Sequence, residues 1–295
     1  MKNITALVGT SLNIVLFFVV IPAVHGQPPT AEDVAPKVID SWKNAGARTG
    51  WYGPGAFGTR LFFEAKPEGF PALFVFRLGT FKPGVIAKLP APSVPFALTL
   101  DEMTDAGMKE LAGLKHLRRL DLGGTQVTDA GLKELAGLTN LQELELTQTK
   151  VTDAGLKELK GLKNLQSLVL PGSQVTDAGL KELAGLVNMQ QLSLYRTKVT
   201  DAGLKELGGF KNLQSLTLQH TQVADAGLKE LADLVNLRHL ILANTNVTNA
   251  GLKEIAKFKS LESLNIISGT MVTNAAVVEL QKVRPRLRII YSDPK

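Results

Sequence analysis

The nonapeptide Val127-Thr-Asp-Ala-Gly-Leu-Lys-Glu-Leu135 returns unchanged at Val151, Val175 and Val199, each copy 24 residues after the last. Looser copies begin at Met103, Val223, Val247 and Val272. A fixed period of this length specifies a solenoid, in which each repeat is one supersecondary unit stacked on the next. No single copy can bury its own leucines. Stacking supplies the core, and both ends need caps.

The copy from Thr128 to Val151 divides into a helical half and an extended half. Thr128 or Asp129 is placed to cap a short helix, and the Asp carboxylate suits the positive end of its dipole. Leu132, Leu135 and Leu138 fall on one face. Gly137 follows the last turn, where a left-handed C-cap is easiest for glycine. Leu141 to Leu146 then carries a short strand. Leu144 and Leu146 point inward, and Glu143, Glu145 and Thr147 point outward.

The spacing Leu141-x-x-Leu144-x-Leu146-x-x-Thr149-x-Val151 resembles the leucine-rich repeat, with Thr where the commoner pattern has Asn. Ser173, Thr197, Thr221 and Thr245 occupy the same column. The resemblance covers roughly residues 96–291. It implies an α/β fold: a horseshoe arc with a parallel sheet on the concave face and short helices on the convex face. It also implies that the column hydroxyl bonds neighbouring backbone inside the turn. It names no partner, since the family binds many unrelated ones.

The ends are of a different kind. Lys2 precedes the apolar run Ile14 to Ile21 and then Pro22-Ala-Val-His-Gly26, which reads as an export signal, residues 1–26, cleaved after Gly26. The competing reading is an uncleaved membrane anchor over Ile4 to Val24. Residues 27–95 lack the period and hold Trp42, Trp51, Phe57, Phe62, Phe63, Phe70, Phe74, Phe76 and Phe81. They read as a small α+β cap. A helix is expected over Pro36 to Ala45, with Val38, Ile39 and Trp42 toward a core. Strands are expected over Arg60–Glu64, Ala72–Arg77 and Val85–Lys88. Phe96 to Leu100 looks like a zeroth strand of the repeat domain, 96–291. At the far end an extra residue near Gly269 and a basic run through Lys282, Arg284, Arg286 and Arg288 mark a closing cap before the tail, 292–295.

Cysteine is absent, so disulfides and thiolate chemistry are excluded. The net charge of +6 is mild, and the Lys133/Glu134 pair recurs in successive copies. The two signs therefore interleave on a solvated convex surface, which is no nucleic-acid footprint. No nucleophile elbow, phosphate loop or zinc-protease motif is present, and no catalytic residue, cofactor or metal site is assigned. His220 and His239 fall near each other without an evident third ligand. The Asp105, Asp129, Asp153, Asp177, Asp201 and Asp225 column offers one carboxylate per repeat, a poor calcium cage.

The helical half hardly varies, whereas the outward strand positions differ from copy to copy. This pattern points to a concave face that binds a protein or another macromolecule. The candidate contact residues are Val169, Pro171, Ser193, Tyr195, Thr217, Gln219, His239 and Ile241, with Tyr195 the aromatic anchor. The reading is of an exported monomer without catalysis, at the membrane only if the leader stays as an anchor. Near-identical units of this kind resemble tandem arrays in secreted bacterial proteins. The repeats also resemble those of F-box adaptors of ubiquitin ligases, although no F-box helix set is visible in 27–95. A third reading has Trp51 and Tyr52, in a Gly50-Trp-Tyr-Gly53 turn, stack on a cell-wall glycan.

Overall fold

The computed structural model describes residues 34–54, 60–67, 72–170, 172 and 174–292. The expected export signal, Phe57, Phe70, Pro171 and Ser173 lie outside the described residues. In chain order the strands are β1 (Arg48–Pro54), β2 (Arg60–Phe63), β3 (Leu73–Leu78), β4 (Phe96–Leu100), β5 (Leu117–Asp121) and β6 (Glu143–Glu145). They continue as β7 (Ser167–Val169), β8 (Gln191–Ser193), β9 (Ser215–Thr217), β10 (His239–Ile241), β11 (Ser263–Asn265) and β12 (Arg288–Ile290). Among the described residues all of them join one open sheet, in the order β2-β1-β3 and then β4 to β12. β1 is antiparallel to β2 and β3, and every pairing from β3 onward is parallel.

The leucine pattern folds as its period requires. Leu132, Leu135, Leu138, Leu141, Leu144, Leu146 and Val151 are all buried, and their equivalents in the other repeats join the same core. Each such side chain contributes about 1.5–3 kcal/mol. The helical half is shorter than a full helix. One α-helical turn, Asp129–Leu132, continues as a 3-10 segment, Lys133–Gly137. The left-handed C-cap expected at Gly137 is not there, because this segment leaves through Leu138 at φ −91° and ψ 53°. The left-handed residue falls instead in the turn after each strand, at Gly124, Gln148, Gly172, Arg196, His220, Asn244 and Ser268, with φ from 54° to 75°.

Three columns of polar residues shape the stack, and the first two join one repeat to the next. Thr128 caps its own helix, its Oγ1 accepting from the Ala130 amide at 3.2 Å. Asp129 does something else. Its Oδ1 accepts from the Thr152 amide at 2.7 Å and its Oδ2 from the Thr152 hydroxyl at 2.6 Å, one repeat further on. Asp105 with Thr128, Asp153 with Thr176, Asp177 with Thr200 and Asp225 with Thr248 repeat this pair of bonds. The same carboxylate explains the glycine. A Cβ on Gly131 would stand 2.5 Å from Asp105 Oδ1, and the preceding Asp crowds Gly155, Gly179, Gly203, Gly227 and Gly251 in the same way. Asp and Gly of the shared motif are therefore two halves of one joint.

The second column is Asn140, Asn164, Asn188, Asn212 and Asn236, whose Nδ2 atoms donate to carbonyls of the preceding repeat at 2.7–3.1 Å. In the third, the hydroxyls of Thr125, Thr149, Thr197, Thr221 and Thr245 donate to the carbonyl three residues earlier at 2.6–2.8 Å, as the family resemblance implies.

The cap extends the sheet instead of sitting beside it. α1 (Pro36–Asn44) buries Trp42 completely against Phe76, with ring centroids 4.5 Å apart, and the indole donates to the Pro90 carbonyl at 3.0 Å. Val38 and Ile39 pack on the same core half-buried. Two local expectations are corrected. Val85–Lys88 is no strand: Ile86–Lys88 is a 3-10 turn, held where Glu110 accepts from the amides of Gly84 and Ala87 at 2.6 and 3.1 Å. The Trp51-Tyr52 pair lies in strand β1, not in a turn, so the two rings leave opposite faces. Trp51 packs edge-on to Phe74 at 5.4 Å and Tyr52 bonds Thr99 Oγ1 at 2.8 Å, so both rings are buried and neither offers a sugar a free platform. At the other end the helix α2 (Asn274–Val283) and β12 close the stack. Arg284 fastens that cap by donating to the carbonyls of Leu261 at 2.8 Å, Lys259 at 3.2 Å and Phe258.

Candidate binding face on the concave sheet

Parallel register aligns the outward residues into rows along the solenoid. One row runs Val75, Ala97, Arg119, Glu143, Ser167, Gln191, Ser215, His239, Ser263. The next runs Arg77, Thr99, Asp121, Glu145, Val169, Ser193, Thr217, Ile241, Asn265. The rows thus continue onto the cap strands, and the face falls into distinct zones.

The charged zone spans β5 and β6. Arg119 pairs with Glu143 at 2.8 Å and approaches Asp121 at 3.6 Å, while its guanidinium lies 4.9 Å from the centre of the Tyr52 ring. Burial opposes the Arg119 charge, but Glu143 and Asp121 outweigh it and hold the guanidinium above its ordinary range. Glu145 makes no ion pair among the described residues, and the Arg119 charge offsets only part of its burial. Burial, reinforced by Asp121 on the next strand, pushes its carboxyl up to about 7, although Thr147 donates to it through both its amide and its hydroxyl. This zone depends on Tyr52, which lies far away in sequence and which sequence reasoning did not place on this face.

The neutral zone follows from β7 to β11. Of the expected contact residues, Val169, Ser193, Thr217, His239 and Ile241 lie in these rows, but several are floor and not projections. Val169, Ser193, Tyr195 and Ile241 are 5–8% exposed, while Thr217, Gln219 and His239 are half-buried. The Tyr195 ring meets His220 edge-on at 5.4 Å, and the Arg196 guanidinium stands 5.2 Å from its centre. His220 in turn has Nε2 3.3 Å from Asn244 Nδ2. Burial, then the nearby Arg196 charge, lowers the His220 pKa. Burial likewise lowers that of His239, with Glu262 opposing and Arg238 assisting. The Ser193 hydroxyl is enclosed with no hydrogen-bond partner among the described residues.

The repeats, the joints and the sheet make the chain a leucine-rich-repeat protein. The family model described as Leucine Rich repeat matches residues 113–136, 137–160, 211–232 and 234–256. Among solved structures, an internalin C2 from Listeria monocytogenes aligns over 83% of this chain and 100% of its own, at 22% identity and a TM-score of 0.54. An internalin F of the same species aligns over 66% of this chain and 67% of its own, at 19% identity and a TM-score of 0.43. The likeness to internalin C2 is one of fold. No curated protein matches the chain. Among the described residues no helix is long and apolar enough to cross a membrane.

Proposed function

We propose that the chain is an exported, monomeric binding protein that holds a protein partner on its concave face and performs no bond chemistry. The observation carrying this reading is the split between columns. The residues that join repeat to repeat are nearly invariant, while the outward strand rows change at every repeat from charged to neutral to apolar. The Tyr195 ring, held between Arg196 and His220, gives this face an ordered aromatic group to present to a partner. The export part rests on the leader read from residues 1–26.

Protein beginning at Gln27 is the bait in a capture from envelope and culture fractions, compared with Tyr195→Ala and with Lys181→Ala/Glu182→Ala on the convex side. Loss of the ring is expected to weaken binding by about 2 kcal/mol, roughly thirtyfold. The convex pair should change affinity by less than about 1 kcal/mol. Because Tyr195 is already packed, its melting temperature is measured alongside. Unchanged affinity in a folded Tyr195→Ala protein, with loss in the convex variant, rejects the concave assignment.

A further inference from the structure

We propose that the edge of the sheet at which the repeat strands begin docks reversibly on an anionic lipid surface. From β4 onward the strands are parallel, so every turn that enters a strand lies along this one edge. The asparagine column fixes these turns in a row. Asn140, Asn164, Asn188, Asn212 and Asn236 donate to the carbonyls of Lys115, Thr139, Lys163, Val187 and Lys211, each one repeat earlier. Ser260 does the same to the carbonyl of Val235. One ridge of exposed side chains therefore runs from Lys115 through Lys163, Val187, Lys211 and Val235 to Lys259.

The charge of this edge stays one-sided after its carboxylates are subtracted. Asp233 is taken by Lys211 at 3.6 Å and Glu262 by Arg238 at 3.1 Å. Lys160, Lys257 and Lys282 are matched by glutamates of the convex helices. Lys115, Arg118, Lys163, Lys259, Arg284 and Arg286 remain, and none of them meets a carboxylate among the described residues. Lys115, Lys163 and Arg118 donate to backbone carbonyls of the next repeat, which leaves their charge uncompensated. On the opposite edge of the repeats, the Asp column from Asp105 to Asp225 outnumbers Lys150, Arg196 and Lys198. The two edges thus differ in sign, and such a field turns one of them toward a negative surface.

Charge alone would suit any polyanion. The apolar groups select a bilayer. Val187, Val235 and Val283 are 54%, 63% and 65% exposed on this same edge, among Lys163, Lys211, Lys259 and Arg286. Neighbouring strands are about 4.8 Å apart, so Val187 and Val235 stand about 10 Å apart and can enter one patch of membrane. Aliphatic tips inside a row of cations fit the boundary between headgroups and acyl chains. Phe210 and Phe258 of these turns are buried, so they offer a nucleic acid no stacking platform. At the end of the ridge Arg238, Lys259, Arg284 and Arg286 surround a cavity of about 490 Å³ beside Val283. The one carboxylate lining it is the paired Glu262, so the cavity is open to an anionic headgroup. With this edge down the strands stand upright on the surface, and the concave face stays free. The leader was expected to be the only route to a membrane, and this edge is a second one, independent of it.

The test is co-sedimentation of protein from Gln27 with vesicles of phosphatidylcholine containing about 30% phosphatidylglycerol, against phosphatidylcholine alone. Binding is expected to the mixed vesicles and to be about tenfold weaker or more to the neutral ones, with release as salt rises from about 0.1 M to about 0.5 M. Lys259→Gln/Arg286→Gln should weaken binding by about tenfold or more with unchanged melting, because both side chains are exposed and unpaired. Val187→Ser/Val235→Ser should weaken it by about fivefold or more and leave its salt dependence as in the parent. Lys181→Gln/Lys205→Gln removes the same charge from the convex helices and should bind like the parent. Equal binding to both kinds of vesicle, or an equal loss in the convex pair, overturns the docking edge. Unchanged binding by the valine variant, or a short DNA duplex bound as tightly as the mixed vesicles, overturns the lipid assignment.

Discussion

The joints between repeats and the concave rows share one 24-residue period but are built under opposite demands. At a joint the side chain of one repeat must fit the backbone of the next, so Asp, Thr and Gly are mutually required and vary little. On the concave rows a side chain meets only its lateral neighbours and solvent. Arg119, Glu143, Ser167 and Gln191 can therefore follow one another in a single row. Sequence identity in this molecule marks the contacts between repeats, and sequence variation marks the surface that no joint constrains.

The cap is the severest test of that contrast, because it replaces a whole joint with an aromatic cluster. Truncation to a chain beginning at Pro95 would uncover Phe96, Leu98 and Leu100, each buried at present. At about 1.5–3 kcal/mol per side chain, the fragment should aggregate or lose cooperative unfolding. Size-exclusion chromatography with thermal denaturation reads this directly. A soluble, cooperative fragment would show that the cap contributes only a surface.

A double-mutant cycle isolates one joint. Asp129→Ala removes two charge-assisted bonds to Thr152 and should cost about 1.5–3 kcal/mol in urea unfolding. Gly155→Ala should cost about 1–3 kcal/mol, because the added methyl meets the Asp129 carboxylate. In the Asp129→Ala background that second cost should largely vanish. Strict additivity would mean that the glycine serves some other purpose.

On the concave side, the contrast predicts a residue that weakens the fold. Glu145 titrates near about 7 when folded, against an ordinary value of 4.5. The native state then binds more protons than the unfolded chain between these values. Its contribution to stability is full below the lower value and is lost as pH rises through the upper one. Glu145→Gln should flatten that part of the stability profile and stabilise the protein by about 1–3 kcal/mol near pH 8. Denaturation at about pH 5 and pH 8 compares the two proteins, and an equal pH slope would remove Glu145 from the charged zone's energetics.

The smallest effect repairs an imperfect joint. Ala224 offers Asp201 only its amide, at 2.7 Å, and caps nothing. Ala224→Thr restores the missing hydroxyl and should add about 1 kcal/mol. No gain at Ala224 would mean that the remaining joints carry their hydroxyls for some other reason.

The repeat, its buried leucines, the short strands and the zeroth strand Phe96–Leu100 were legible in the sequence, because burial alternates with a period that one repeat displays in full. The left-handed residue expected at Gly137 lies instead in the turn after the strand, since a glycine invites that conformation without requiring it. In the turn after the strand, Gln148, Arg196 and His220 adopt it because the turn demands it. The outward positions of Thr217 and Ile241 were readable from strand alternation. Their depth was not, since exposure on a concave face depends on how closely neighbouring rows crowd.

What the sequence determined by itself is the stack: the period, the inward leucines and the face that varies. Only the tertiary structure decided who meets whom. Asp129 reads locally as a helix-start residue, yet its bonds are to Thr152. Tyr52 reads as part of an aromatic turn, yet it lies beneath Arg119 and bonds Thr99. Glu145 reads as any surface glutamate until its own burial, with Asp121 beside it, raises its pKa. The physical reason is common to all three. Periodic hydrophobicity states which way a side chain points, whereas its partner is set by the translation that carries one repeat onto the next, a distance that no local pattern records.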